Sequence, residues 1–162
     1  QWAGPYLYSR QVVAVRSDSD IYTLQDLAGK VVAVQSTTKP EELFLNAEQN
    51  GLPRLRRLYS LQNRDLIYTT LIKGYADALA THESAIRQFM KDYSVEYRIL
   101  DEPLMTARLG VAFSKNRSDD LPQQLTEVFQ EMLADGTVRQ IVSRYLDDPE
   151  HYLDGLEDST HA

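Results

Sequence analysis

The residues with the clearest chemistry are three consecutive hydroxyls, Ser36-Thr37-Thr38, followed by Lys39-Pro40-Glu41-Glu42. They come directly after Val31-Val32-Ala33-Val34-Gln35, whose unbroken apolar run reads as a strand covered on both faces. Thr38-Lys39-Pro40-Glu41 has the spacing of a capping box, with proline inside the first helical turn. A strand that runs into the start of a helix presents unpaired N–H groups and the positive helix end, which suits a small anion. Hydroxyl and N–H donation from this loop therefore points to binding before any catalysis. Thr38 is equally well read as a plain helix cap, and the two roles are compatible.

Catalytic patterns are missing. The histidines are His82, His151 and His161, and the last two fall in an acidic stretch at the end of the chain. There is no Ser/His/Asp order, HExxH, GxSxG or Walker-type phosphate loop. The acidic pairs Glu41-Glu42 and Asp147-Asp148 read as a first helical turn and a tail. No catalytic residue, cofactor or metal site is expected, and the chain reads as a non-enzyme.

The elements around the loop must position it. Val12 to Val15 reads as a strand. Thr23 to Asp26 is a second capping box, on a short helix that Gly29 ends. Helix after Thr38 is expected to run to Asn50-Gly51. Strands follow at Leu55 to Tyr59, Ala76 to Ala80 and Tyr97 to Leu100, with helices from Asn63 to Gly74 and from Glu83 to Asp92. This alternation predicts an α/β fold, a mainly parallel sheet with helices on both faces. After Pro103 come a strand at Leu109 to Phe113, a helix from Leu121 to Ala134, and a last helix carrying Val138, Ile141, Val142 and Tyr145. From Asp147 the chain reads as a frayed end or linker.

Composition narrows the partners. The 162 residues carry 24 acidic and 17 basic side chains, a net charge of -7. That balance argues against nucleic acid, which needs a basic patch. With no cysteine, disulfides and thiol chemistry are excluded. No apolar run reaches membrane-spanning length. The length allows one domain or two small lobes with a real core.

Taken in order, Gly4-Pro5-Tyr6, Val12 to Arg16, Leu24 to Gln35, Gly74-Tyr75-Ala76-Asp77-Ala78, Leu109 to Lys115 and Glu131 to Thr137 resemble the type-2 periplasmic solute-binding proteins, family 3, the amino-acid-binding group. Each stretch is weak alone, and the ordered set covers nearly the whole chain. The resemblance implies two α/β lobes that close on a small polar ligand, here an amino acid or related carboxylate, for delivery to an ABC permease. It implies a periplasmic or extracellular location. Two alternatives stay open: the sensor domain of a membrane signalling protein, and a dehydratase-like periplasmic enzyme on the same fold.

The same resemblance implies residue roles. Ser36, Thr37 and Thr38 match the loop that receives the ligand's carboxylate. The family usually has glycine where Thr37 stands, and a β-branched residue there narrows the backbone choices. At His82 the family usually places an aspartate for the ligand's α-ammonium. A neutral imidazole accepts only one hydrogen bond, so either Glu83 takes that role or the ligand is not a standard α-amino acid. A capping or surface histidine with no ligand is the plain alternative. Tyr6 matches an aromatic position near the hinge and ligand. Tyr8 is expected to pack at the crossover, Asp77 to serve structure, and Arg10 and Arg16 to be solvated or ion-paired.

In this mapping residues 20–100 form a complete lobe 2. Residues 1–19 and 101–148 supply the hinge crossover and the C-terminal part of lobe 1, and 149–162 form an acidic tail. Most of lobe 1, with its carboxylate-clamping arginine, lies outside the sequence. The apolar stripe Leu125, Val128, Phe129 and Met132 would then lack partners, which predicts a homo-oligomer or swapped dimer.

Overall fold

The computed structural model describes residues 1–156. The chain divides into two compact units: Arg10–Met105, and Gln1–Ser9 together with the residues from Thr106 onward.

The first of these units is built on strands β1 (Trp2–Arg16, through its second half), β2 (Val31–Gln35), β3 (Arg57–Leu61), β4 (Ala78–His82) and β5 (Tyr97–Ile99). Their order is β3-β2-β4-β1-β5. β2 lies parallel to both β3 and β4, while β1 runs antiparallel to β4 and β5. The expected α/β class is observed, with a mixed sheet: three parallel strands joined by helical crossovers, and β1 entering from the other unit in the opposite sense.

Strand alternation produces two cores. Val13, Val15, Val32, Val34, Ala78 and Ala80 face one side and pack with Leu24, Leu27, Phe44 and Leu100. Val12, Ala14, Val31, Ala33 and Leu79 face the other and pack with Ile67, Tyr68, Leu71 and Ile86. Successive side chains of a strand point to opposite faces, so a continuous apolar run requires cover on both sides. That cover comes from a 3₁₀ turn at Leu24–Leu27 and helix α1 (Lys39–Leu45) on one face, and from α2 (Arg64–Ile72) and α3 (Glu83–Tyr93) on the other. Asp77 serves structure: its Oδ2 accepts from the Val31 N–H at 2.7 Å and ties the start of β2 to the approach to β4.

Several expected boundaries move. The helix after Thr38 stops at Leu45, and only a 3₁₀ turn at Glu48–Asn50 continues it. β3 and β4 each lie two residues later than the apolar runs suggested: β3 starts at Arg57, paired with Val31, and β4 runs from Ala78, paired with Val15 and Val32, to His82, paired with Gln11.

In the second unit β6 (Met105–Ala112) pairs with β1. The backbones approach closely: a Cβ on Gly110 would lie 2.6 Å from the Ala3 carbonyl oxygen. Helix α4 (Leu121–Ala134) has the expected span, and α5 covers Thr137–Val142. The region expected to be a frayed tail folds in part. Helix α6 (Glu150–Leu153) buries Tyr152 and Leu153, and Leu153 and Leu156 pack with Leu133 and Val138. Burial of these apolar residues outweighs the acidic composition around them. Residues 157–162, including His161, lie outside the described residues. No helix among the described residues is long and apolar enough to cross a membrane.

Candidate functional site

Because β2, β3 and β4 are parallel, their carboxyl ends share one edge of the unit, and each feeds a helix there: β2 into α1, β3 into α2, β4 into α3. In open α/β sheets ligands bind outside these carboxyl ends. Ser36, Thr37, Thr38, His82 and Glu83 all fall on these connections.

The first connection is more self-contained than its sequence suggested. Thr37 has φ +60°, a left-handed conformation that is costly for a β-branched residue. Its N–H donates to Glu41 Oε2 at 2.6 Å, and its hydroxyl to the Ser36 carbonyl at 2.6 Å. The Thr38 hydroxyl donates back to the Gln35 carbonyl at 2.5 Å. The expected capping box is therefore not formed. Thr38 makes no side-chain cap hydrogen bond, and Glu41 reaches one residue further, to Thr37. The left-handed turn at Thr37 brings its N–H, rather than that of Thr38, to the carboxylate. The Ser36 and Ser60 hydroxyls are 3.0 Å apart, and Ser60 also donates to Glu41 Oε1. These bonds from Ser60 and Thr37 hold the Glu41 carboxyl below the usual glutamate range.

The second connection carries a capped helix. The Asn63 side chain accepts from the Asp65 N–H at 2.8 Å. Next to it, Arg64 Nε lies 3.5 Å from Gln35 Oε1.

The third connection starts at His82, the N-cap of α3, whose side chain makes no cap bond. Its ring nitrogens lie 3.0 Å from Gln11 Nε2, across the β1–β4 pairing. Partial burial lowers the His82 pKa, and the nearby Arg64 charge lowers it further. The imidazole is thus neutral at neutral pH, with one donor and one acceptor. Gln11 is 4% exposed and its Oε1 has no hydrogen-bond partner among the described residues.

Glu83 is buried. Its Oε1 accepts from Arg87 Nη2 at 2.7 Å and Nε at 2.9 Å, and its Oε2 lies 3.5 Å from Arg10 Nη1. The Glu83 carboxylate is thus committed to two guanidiniums. Arg16 pairs with Asp18 at 2.8 Å.

Tyr6 belongs to the other unit, where its ring lies 5.2 Å from that of Phe129. Tyr8 packs there against the cluster of Leu133, Val138 and Leu153. Among the described residues, no group of His, Asp and Glu has the arrangement to hold a metal ion.

Sequence reading missed four participants: Gln11, Arg64, Ser60 and the redirected Glu41. Gln11 carried a signal, as a polar residue beginning the apolar strand Val12 to Val15. Ser60 carried none, because its role depends on β3 lying beside β2.

Comparison with known proteins agrees with this architecture. A family profile described as "ABC transporter, phosphonate, periplasmic substrate-binding protein" matches residues 5–150. The chain is 35% identical over 147 residues to the histidine-binding periplasmic protein of Escherichia coli K12, covering 86% of this chain and 54% of that protein. It is 27% identical over 142 residues to a putative amino-acid ABC transporter-binding protein, PatH, of Vibrio harveyi, covering 86% of this chain and 55% of that protein. The chain thus spans about half the length of these relatives. Among solved structures, an ancestral cationic amino acid solute-binding protein superposes with a TM-score of 0.71 at 24% identity, over 90% of this chain and 61% of that one. Substrate-binding domain 2 of Lactococcus lactis GlnP superposes at 0.69 and 22% identity, over 91% and 62%. The strand order, the loops at the carboxyl edge and the profile match over residues 5–150 lead to one conclusion: the chain belongs to the periplasmic substrate-binding proteins of ABC transporters.

Proposed function

We propose that this chain is an extracytoplasmic solute-binding module that recognises an amino acid or related small carboxylate for ABC import. The observation that carries the reading is the carboxyl edge of β2, β3 and β4. There the Ser36–Thr38 loop, Arg64 and the His82 ring surround the start of three helices. The cationic Arg64 and the hydroxyl-bearing loop suit a carboxylate. Neutral His82 reads the ligand's second polar group with one donor and one acceptor. Glu83 supports it through its ion pairs with Arg10 and Arg87. A permease of an ABC importer is the protein partner this role implies, and the location is the periplasm.

The test is a thermal-shift screen of the chain with L-histidine, L-arginine, L-glutamine, L-glutamate and small dicarboxylates at millimolar concentration. A ligand at a hundred times its Kd adds about 2.7 kcal/mol to the unfolding free energy by mass action. The expected result is a dose-dependent rise in Tm with at least one compound and none with neutral sugars. No shift with any of them would overturn the reading.

A further inference from the structure

Thr37 holds a backbone conformation that a β-branched residue rarely adopts, and it is exposed, so no packing enforces it. What does reach it is Glu41. One carboxylate oxygen accepts the Thr37 N–H at 2.6 Å and the other accepts the Ser60 hydroxyl. Ser60 sits on β3, opposite Val34 of β2 in the ladder. The carboxylate therefore fastens the turn after β2 to the neighbouring strand. Its depressed pKa is consistent with two donors aimed at the ionised form. The charges around it are otherwise accounted for: Glu42 pairs with Lys39 at 2.6 Å, and Arg64 turns to Gln35.

We propose that Glu41 is the positioning residue of the β2–α1 turn. Its carboxylate holds Thr37 in the left-handed conformation and so sets the direction in which the hydroxyl loop faces the sheet edge. A glycine at position 37 would reach that conformation through backbone freedom alone; here a side chain four residues later imposes it. The consequence for ligand binding rests on the solute-binding reading above, while the clamp itself does not.

Two arms separate the inference from that reading. The first needs no ligand: the Thr37 amide resonance is followed by ¹⁵N NMR as pH is lowered. It is expected to move with a midpoint below the ordinary glutamate value of 4.5, and to lose that transition in Glu41→Gln. The second uses the amino acid that gives the largest shift in the thermal screen. Glu41→Ala is expected to weaken its binding at least tenfold. Adding Thr37→Gly is expected to restore binding to within about threefold of the parent, because glycine needs no clamp. A purely electrostatic or packing role for Glu41 predicts no such rescue. A Thr37 amide that ignores Glu41 titration, or a double variant no better than Glu41→Ala, overturns the inference. If none of the amino acids binds the parent chain, the solute-binding reading fails and the amide titration alone decides the clamp.

Discussion

Removing Glu83 is the most informative single perturbation of the site's foundation. Its side chain is 2% exposed, that of Arg10 is 14% exposed and that of Arg87 is 50% exposed. Breaking a fully buried pair from one side costs roughly 3–5 kcal/mol, because the other charge is left without a counterion, while exposed pairs contribute about 1 kcal/mol or less. This triad lies between those limits. Arg87 rehydrates when freed. Arg10 keeps a long hydrogen bond, 3.4 Å, to the Asp101 carbonyl, and its separation from Glu83 is already 3.5 Å. An acidic residue is also lost from the first turn of α3, worth about 0.3–1 kcal/mol. Glu83→Ala is therefore expected to cost about 2–3 kcal/mol, and Arg87→Ala about 1 kcal/mol or less. Urea unfolding followed by far-UV circular dichroism measures both, and parallel transitions with an unchanged m-value allow the comparison. A loss under about 1 kcal/mol for Glu83→Ala would refute the argument that Arg10 depends on this carboxylate.

Other outcomes follow from the same geometry. Because the folded His82 pKa lies below 6.5, the native chain binds fewer protons at this site than the unfolded chain in mild acid. Stability from this residue is complete above pH 6.5 and declines as pH falls below it, and His82→Gln should flatten that part of the stability–pH curve. Gly110→Ala should destabilise the β1–β6 pairing by roughly 1–3 kcal/mol, since its Cβ would meet the Ala3 carbonyl oxygen at 2.6 Å; equal Tm values for variant and parent would disprove the close approach. Val128 and Ile141 are 45% and 43% exposed on α4 and α5, so static light scattering should show mass rising with concentration, and a clean monomer at high concentration would count against self-association.

Much of this molecule was legible as pattern. The apolar runs at Val12 to Val15 and Val31 to Val34 foretold strands buried on both faces, because alternation in a doubly covered sheet leaves no polar side. Asn63 and the α4 stripe marked their helices correctly. Thr37 also stands out in the sequence, since a β-branched residue occupies a position where glycine is usual in proteins this chain resembles. Less legible was any bond between segments. The spacing Thr38-Lys39-Pro40-Glu41 satisfied the capping-box rule, yet the box did not form, because the rule assumes an ordinary backbone at the preceding residue. The tail misled for the opposite reason: its acidic composition hid Tyr152, Leu153 and Leu156, whose burial needs α4 and α5 as partners.

The sequence by itself determined the α/β class, the order of elements and the loops that carry polar groups, because those follow from local periodicity and turn chemistry. Only the tertiary structure decided which polar groups are spent and which remain. Glu83 looked available and is held between Arg10 and Arg87. Glu41 looked like a cap and instead joins the β2–α1 turn to β3. Gln11 met His82 only through the antiparallel register of β1 on β4. A hydrogen bond depends on angles and on distances of a few ångströms between residues far apart in the chain, and strand register sets those distances where residue spacing cannot.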